Sequence, residues 1–224
     1  MSERKIVKIQ TVTYLGGPID AAKDYGVRWR QRIKPQLVNL KKKIEETLNK
    51  EYPECEILVD LKIQDPVEMT EETFGKSIDE IHKDLYQIRL FNEREHARVV
   101  FENIIIPDIK MVMRLKEKGV IGFGIVYFAP DTPTSGTHCE IWEASGIHFE
   151  IMKRIFKEVP ENKIPSFPLP IFGISPDGLA GFPNWIHSVS ILLNPESKIF
   201  YNFTQLIEHL EPWLLDKVRQ KVET

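Results

Sequence analysis

The stretch KDLYQIRLFN, Lys83 to Asn92, decides how this chain is read. Leu85, Ile88, Leu90 and Phe91 are strand-type apolar residues, and the pattern predicts a short strand over 84–91, followed by a helix. Its polar positions are unusual. Strands that end at a chemical site often carry two carboxylates, or a carboxylate and a lysine, where this one carries Gln87 and Arg89.

Outward from that segment, strands and helices alternate. Lys5–Leu15 reads as a strand broken by Gly16, Gly17 and Pro18. Residues 20–50 read as helix in two pieces divided near Pro35, with Leu37, Leu40, Ile44 and Leu48 on one face of the second. Cys55–Ile63 alternates as a half-buried strand, and 64–75 reads as a loop with a short helix. A helix from Glu93 is disturbed at Pro107, which has no amide donor; Asp108 caps its second part and Gly119 ends it. The nearly continuous apolar run VIGFGIVYFA, 120–129, predicts a strand covered on both faces. An amphipathic helix is expected over 146–159, strands over 167–175 and 185–193, and a helix over the last twenty residues or so. The expectation is a single α/β domain over 1–224 with a central mixed sheet flanked by helices.

Composition excludes several classes. With 224 residues, 42 % hydrophobic and 28 % charged, the chain is long enough for one real core. A formal net charge of −3 gives no global basic field. Two cysteines, Cys55 and Cys139, far apart, indicate no disulfide framework, so a reducing, cytoplasmic setting is expected. No run is long enough to span a membrane, and no secretory signal is visible at the N-terminus.

The six histidines, 82, 96, 138, 148, 187 and 209, lack zinc-site spacing, and no phosphate-binding loop or nucleophile elbow is present. The glycines of GGP and GFGI suit a turn and close sheet packing. One basic run, RWRQRIKPQLVNLKKK, holds Arg28, Arg30, Arg32 and Lys34, either the solvated side of a helix or a phosphate-contacting surface. Acidic residues surround the opening segment: Asp79, Glu80 and Asp84 before it, Glu93 and Glu95 after. They suit a helix N-terminus or an Mg²⁺ site. A D-x-K, Asp60 to Lys62, reads as an exposed strand face.

From Asp79 to about Pro176 the order IDEIHKDLYQIRLFN, helix, GFGIVYFAP, SGIHFEIMKRIF, IPSFPLPIFGISP resembles type II restriction endonucleases of the BglII and BamHI kind, in the PD-(D/E)xK nuclease superfamily. The resemblance implies a restriction-endonuclease-like core at 79–176 with a C-terminal extension at 177–224. It implies a sequence-specific, Mg²⁺-dependent endonuclease acting on double-stranded DNA as a homodimer, within a restriction-modification system. Asp79 matches the leading aspartate and Asn92 the asparagine after the strand; Gln87 and Arg89 fall where the family places its two strand groups.

That departure bears on the chemistry. Phosphodiester hydrolysis needs a metal to polarise the phosphate and acidify water. Gln87 offers a neutral oxygen, and Arg89 cannot act as a base. Metal binding by Asp79 and Gln87 is therefore expected to be weak. The pattern fits a nuclease whose carboxylates have migrated to Glu93 or Glu95, a degenerate nuclease that only binds DNA, or an inactivated variant. DNA contacts are expected from Asn92, Arg94 and Arg98 to bases, with Glu95 as a cytosine acceptor, and from Arg28, Arg30 and Arg32 to phosphates. The alternative is a non-catalytic DNA-binding or protein-interaction domain on the same architecture.

Overall fold

The computed structural model describes residues 4–17, 19, 23–24, 26–129, 169–178 and 194–224. Within them the chain forms strands β1 (Lys5–Gly16), β2 (Cys55–Gln64), β3 (Ile121–Tyr127), β4 (Ile171–Ile174) and β5 (Lys198–Phe200). The helices are α1 (Val27–Glu51), α2 (Pro66–Phe74), α3 (Ile78–Phe91), α4 (Glu93–Val100), α5 (Ile106–Arg114) and α6 (Phe203–Val222), with a π-helical turn at Phe101–Ile105 between α4 and α5. The expected helix at 146–159 and strand at 185–193 lie outside the described residues.

The five strands make one sheet in the order β2-β1-β3-β4-β5. Every pairing is parallel: β1 runs beside β2 from Lys5↔Cys55 to Tyr14↔Gln64, and beside β3 from Thr11↔Ile121 to Gly16↔Val126. The expected mixed sheet is thus, among the described residues, a parallel one. Parallel neighbours need long crossovers, and α1 and the helices from α2 to α5 supply them.

Side-chain alternation along β1 sends Ile9 and Leu15 to one face and Val12 and Tyr14 to the other. The first face packs under α1 and α6, whose buried stripes are Ile33, Leu37, Leu40, Ile44, Leu48 and Leu206, Leu210, Leu214, Val218. The second packs under α5 through Met111, Val112 and Leu115. β3 is covered on both faces, as its apolar run predicts, and is interior, between β1 and β4. Its glycines answer to packing. A Cβ on Gly122 would lie 2.0 Å from the Leu115 carbonyl oxygen, and one on Gly124 2.9 Å from Ile171 Cδ1.

The opening segment is a helix, not a strand. Ile78, Ile81 and Leu85 are its buried residues, a 3–4 spacing that the strand reading cut in half. Glu80 marks its start, accepting from the Ser77 amide at 3.0 Å and the Ser77 hydroxyl at 2.7 Å. Asn92 ends α3 and starts α4, accepting from the Glu95 amide at 3.1 Å. β3 accordingly neighbours β1 and β4, with no strand at 84–91 beside it.

Pro35 was expected to divide its helix and does not, whereas the disturbance expected at Pro107 is there. Pro35 lies inside α1 on an exposed position, where the carbonyl it orphans is left to water while the buried stripe holds the helix together. Ahead of Pro107 the chain widens into the π turn, with the Ile106 amide reaching back to the Phe101 carbonyl. That turn absorbs the missing donor, so Asp108 sits inside the first turn of α5 rather than capping it. Among the described residues, no helix is long and apolar enough to cross a membrane.

Candidate ligand site at the carboxyl edge of the sheet

Strand order locates the place where a parallel sheet can hold a ligand. After β1 the chain goes to β2 on one side; after β3 it goes to β4 on the other. The reversal of strand order between these neighbours makes their carboxyl ends a topological switch point, the place where open parallel sheets commonly hold ligands. Gly16 and Gly17 end β1 there, and Tyr127 ends β3.

Tyr127 stacks with two aromatic rings. Trp29, in the first turn of α1, stacks on it at 5.6 Å between centroids and 26° between planes. Phe203, in the first turn of α6, stacks on it at 5.8 Å and 18°. Two helices starting at the same edge therefore pack aromatic rings against one half-buried tyrosine. Partial burial pushes the Tyr127 phenol above its ordinary pKa; Asp24 and Asp177 act in the same direction, and Arg32 acts against them. The hydroxyl is a neutral donor and acceptor at physiological pH. Arg32 also lies over the Phe203 ring at 5.2 Å.

Beneath this layer is a buried ion pair. Arg30, 1 % exposed, places Nε 3.2 Å from Asp65 Oδ1. Its other nitrogens donate to the carbonyls of Gly26 at 2.9 Å and Leu15 at 3.1 Å. Asp65 also pairs with Lys34, caps α2 by accepting from the Val67 amide at 3.0 Å, and follows the end of β2. One guanidinium thus ties together the ends of β1 and β2 and the heads of α1 and α2.

Among the described residues, the buried Trp29 indole N–H and the Ser175 hydroxyl just after β4 have no hydrogen-bond partner. A buried unsatisfied donor costs about 1–3 kcal/mol. A Cβ at Gly17 would lie 3.2 Å from Trp29 Nε1 and 2.9 Å from Cζ2, so only glycine lets the strand end pass the indole this closely. The head of α1 is already compensated. The two Asp24 carboxylate oxygens accept from the Gly26 and Arg28 amides, each at 3.2 Å, so this helix start does not offer bare amides to a phosphate.

A concavity of about 300 Å³ lies between α2 and α5. Its charged lining sets Asp65, Glu68 and Glu72 beside Lys110 and Arg114, and all but Asp65 stand on exposed side chains.

The residues expected to form a nuclease site are placed otherwise. Asp79, Gln87 and Arg89 are exposed on α3, and Glu93 and Arg94 are exposed at the start of α4. Glu95 is held below the usual carboxylate range by its hydrogen bonds with Arg98, at 2.6 and 3.0 Å, so these two expected base readers are bonded to each other. Among the described residues no three His, Cys, Asp or Glu side chains come together as a metal site. Of the three arginines expected on phosphates, Arg28 and Arg32 are exposed, but Arg30 is inside the protein. Sequence reasoning missed Trp29, Tyr127, Asp177 and Phe203. The available signal was a Gly-Gly at a strand end in a chain whose other strands are parallel.

Compared with protein-family models, with curated proteins and with solved structures, the chain matches none.

Proposed function

We propose that this protein binds a small neutral polar organic molecule, one with hydroxyl and carbonyl groups, in the crevice between the ends of β1 and β3. The observation that carries the reading is the Tyr127 ring stacked with Trp29 and Phe203 at the switch point of a parallel sheet. The Tyr127 hydroxyl exchanges a hydrogen bond with the ligand's carbonyl, Asp177 accepts from its hydroxyls, and the buried Trp29 ring packs behind Tyr127. Mixed charge around the phenol and an occupied α1 terminus argue against a polyphosphate. The test is a screen of small polar compounds by thermal shift against wild type, Tyr127→Phe and Gly17→Val. Hits that stabilise wild type and lose at least about tenfold in affinity in Tyr127→Phe support the reading, since one lost hydrogen bond to a ligand is worth about that much. Hits that bind both variants as tightly as wild type count against it.

A second reading keeps the chain on duplex DNA, as a cytoplasmic Mg²⁺-dependent restriction endonuclease or a degenerate binding domain. The exposed Arg28 and Arg32 favour it. Its test is duplex binding across a salt series, with cleavage in Mg²⁺. Steep salt dependence that Arg28→Glu and Arg32→Glu abolish supports it, and no binding at low salt removes it.

A further inference from the structure

The helical rod formed by α4, the π turn and α5 carries an apolar stripe that does not contribute to the core. Phe101, Ile105, Ile109 and Met113 recur every fourth residue and are 54, 42, 45 and 40 % exposed. The rod's own buried residues, Met111, Val112 and Leu115, lie on another face, against the sheet. Isolated exposed apolar residues need no explanation; four in a row along one ridge mark a contact surface. Helix ridges built on an i, i+4 repeat pack into the grooves of another helix.

We infer that the occupant of this stripe is a second copy of the chain, related by a two-fold axis passing beside Pro107. The stripe is symmetric about that residue. An antiparallel pair centred there sets Phe101 against Met113 and Ile105 against Ile109 in both directions, the self-complementary pattern that a two-fold interface requires.

Charge supports the same register. The exposed positions immediately following the stripe residues include Glu102, Lys110 and Arg114. In an antiparallel pair a flank meets the same flank of its partner, so Glu102 of one copy falls between Lys110 and Arg114 of the other. In this register an acid of one copy meets two bases of the other. Arg98, which falls opposite Lys116, already has its charge compensated by Glu95 at 2.6 Å and Glu102 at 2.7 Å. A membrane surface is less well matched, because the rod's exposed flank alternates acid and base where an interfacial helix is basic.

Sedimentation velocity over a concentration series tests this on the full chain. Wild type should sediment as a reversible dimer. Ile105→Glu and Ile109→Glu should each raise the dissociation constant by about a hundredfold or more, as loss of a central apolar anchor does. Their circular dichroism and melting should stay unchanged, because both positions face solvent in the monomer. Phe101→Ser, at the outer end, gives the same direction if a central charge perturbs the fold. Glu102→Lys should weaken the dimer about tenfold, and adding Lys110→Glu with Arg114→Glu should restore it. A wild-type chain that stays monomeric overturns the inference, as does a dimer that survives the Ile105 and Ile109 substitutions. So does a monomer that pellets with vesicles of anionic and zwitterionic phospholipid.

Discussion

At the scale of single residues, Arg30 holds the edge together and Tyr127 presents it. Removing one member of a buried ion pair strands the other charge in a poor solvent, at a cost of about 3–5 kcal/mol. Asp65 retains Lys34 when Arg30 is removed, so Arg30→Ala is expected at the low end of that range, read as a shift in the urea midpoint. His209 sets a pH dependence. Burial, in ring contact with Phe172 at 5.6 Å and Phe200 at 5.2 Å, holds its pKa below the ordinary value, with Lys198 adding to the effect. The unfolded chain then takes up the proton first. The contribution to stability is complete above about pH 6.5 and declines as pH falls through the lower folded value. His209→Phe should flatten the melting temperature across that window. Glu196 acts lower on the scale. Burial alone would raise it, but hydrogen bonds from Lys217 at 2.7 Å and Trp213 at 3.0 Å bring it below the usual carboxylate range. Its contribution is present near neutrality and lost in acid, with the same sign.

At the scale of elements, what the sequence revealed depended on how much of each pattern could be read at once. Long regular patterns were legible: β1, β2, the second part of α1, β3 and α6 all lie where periodicity places them. α3 was not, because the segment 84–91 carries four apolar residues in eight and reads as a strand when separated from Ile78 and Ile81. Ser77 followed by Glu80 was the local sign of a helix start. β5 was missed because three residues are too few to show alternation, and only its pairing with β4 makes it a strand. The edge residues were illegible for a different reason: Trp29, Tyr127 and Phe203 are far apart in sequence and meet only once parallel strands align their carboxyl ends. Caps are testable individually. Asn202 starts α6 by accepting from the Gln205 amide at 3.0 Å. Asn202→Ala should cost about 1 kcal/mol, with an unchanged denaturant slope. Gly122→Ala should cost more, since a methyl driven toward the Leu115 carbonyl forces α5 away from β3.

At the scale of the whole molecule, the direction of the strands determines where function can sit. All five point their carboxyl ends the same way, so the heads of α1, α2 and α6 gather at one edge, with Arg30, Asp65, Trp29, Tyr127 and Phe203 among them. The apolar stripe lies on a different element, so binding at the edge and pairing through the rod can be separated by mutation. The central claim is that the crevice between β1 and β3 takes a small polar ligand. The most direct measurement is a ¹H–¹⁵N titration of the labelled protein with the best compound from the screen. Four tryptophans give four indole signals, assignable by substitution. The Trp29 indole N–H should move most, together with the amides of Gly16 and Gly17, and Tyr127→Phe should suppress the movement. A Trp29 signal that stays fixed at saturation while the largest shifts fall elsewhere would contradict it.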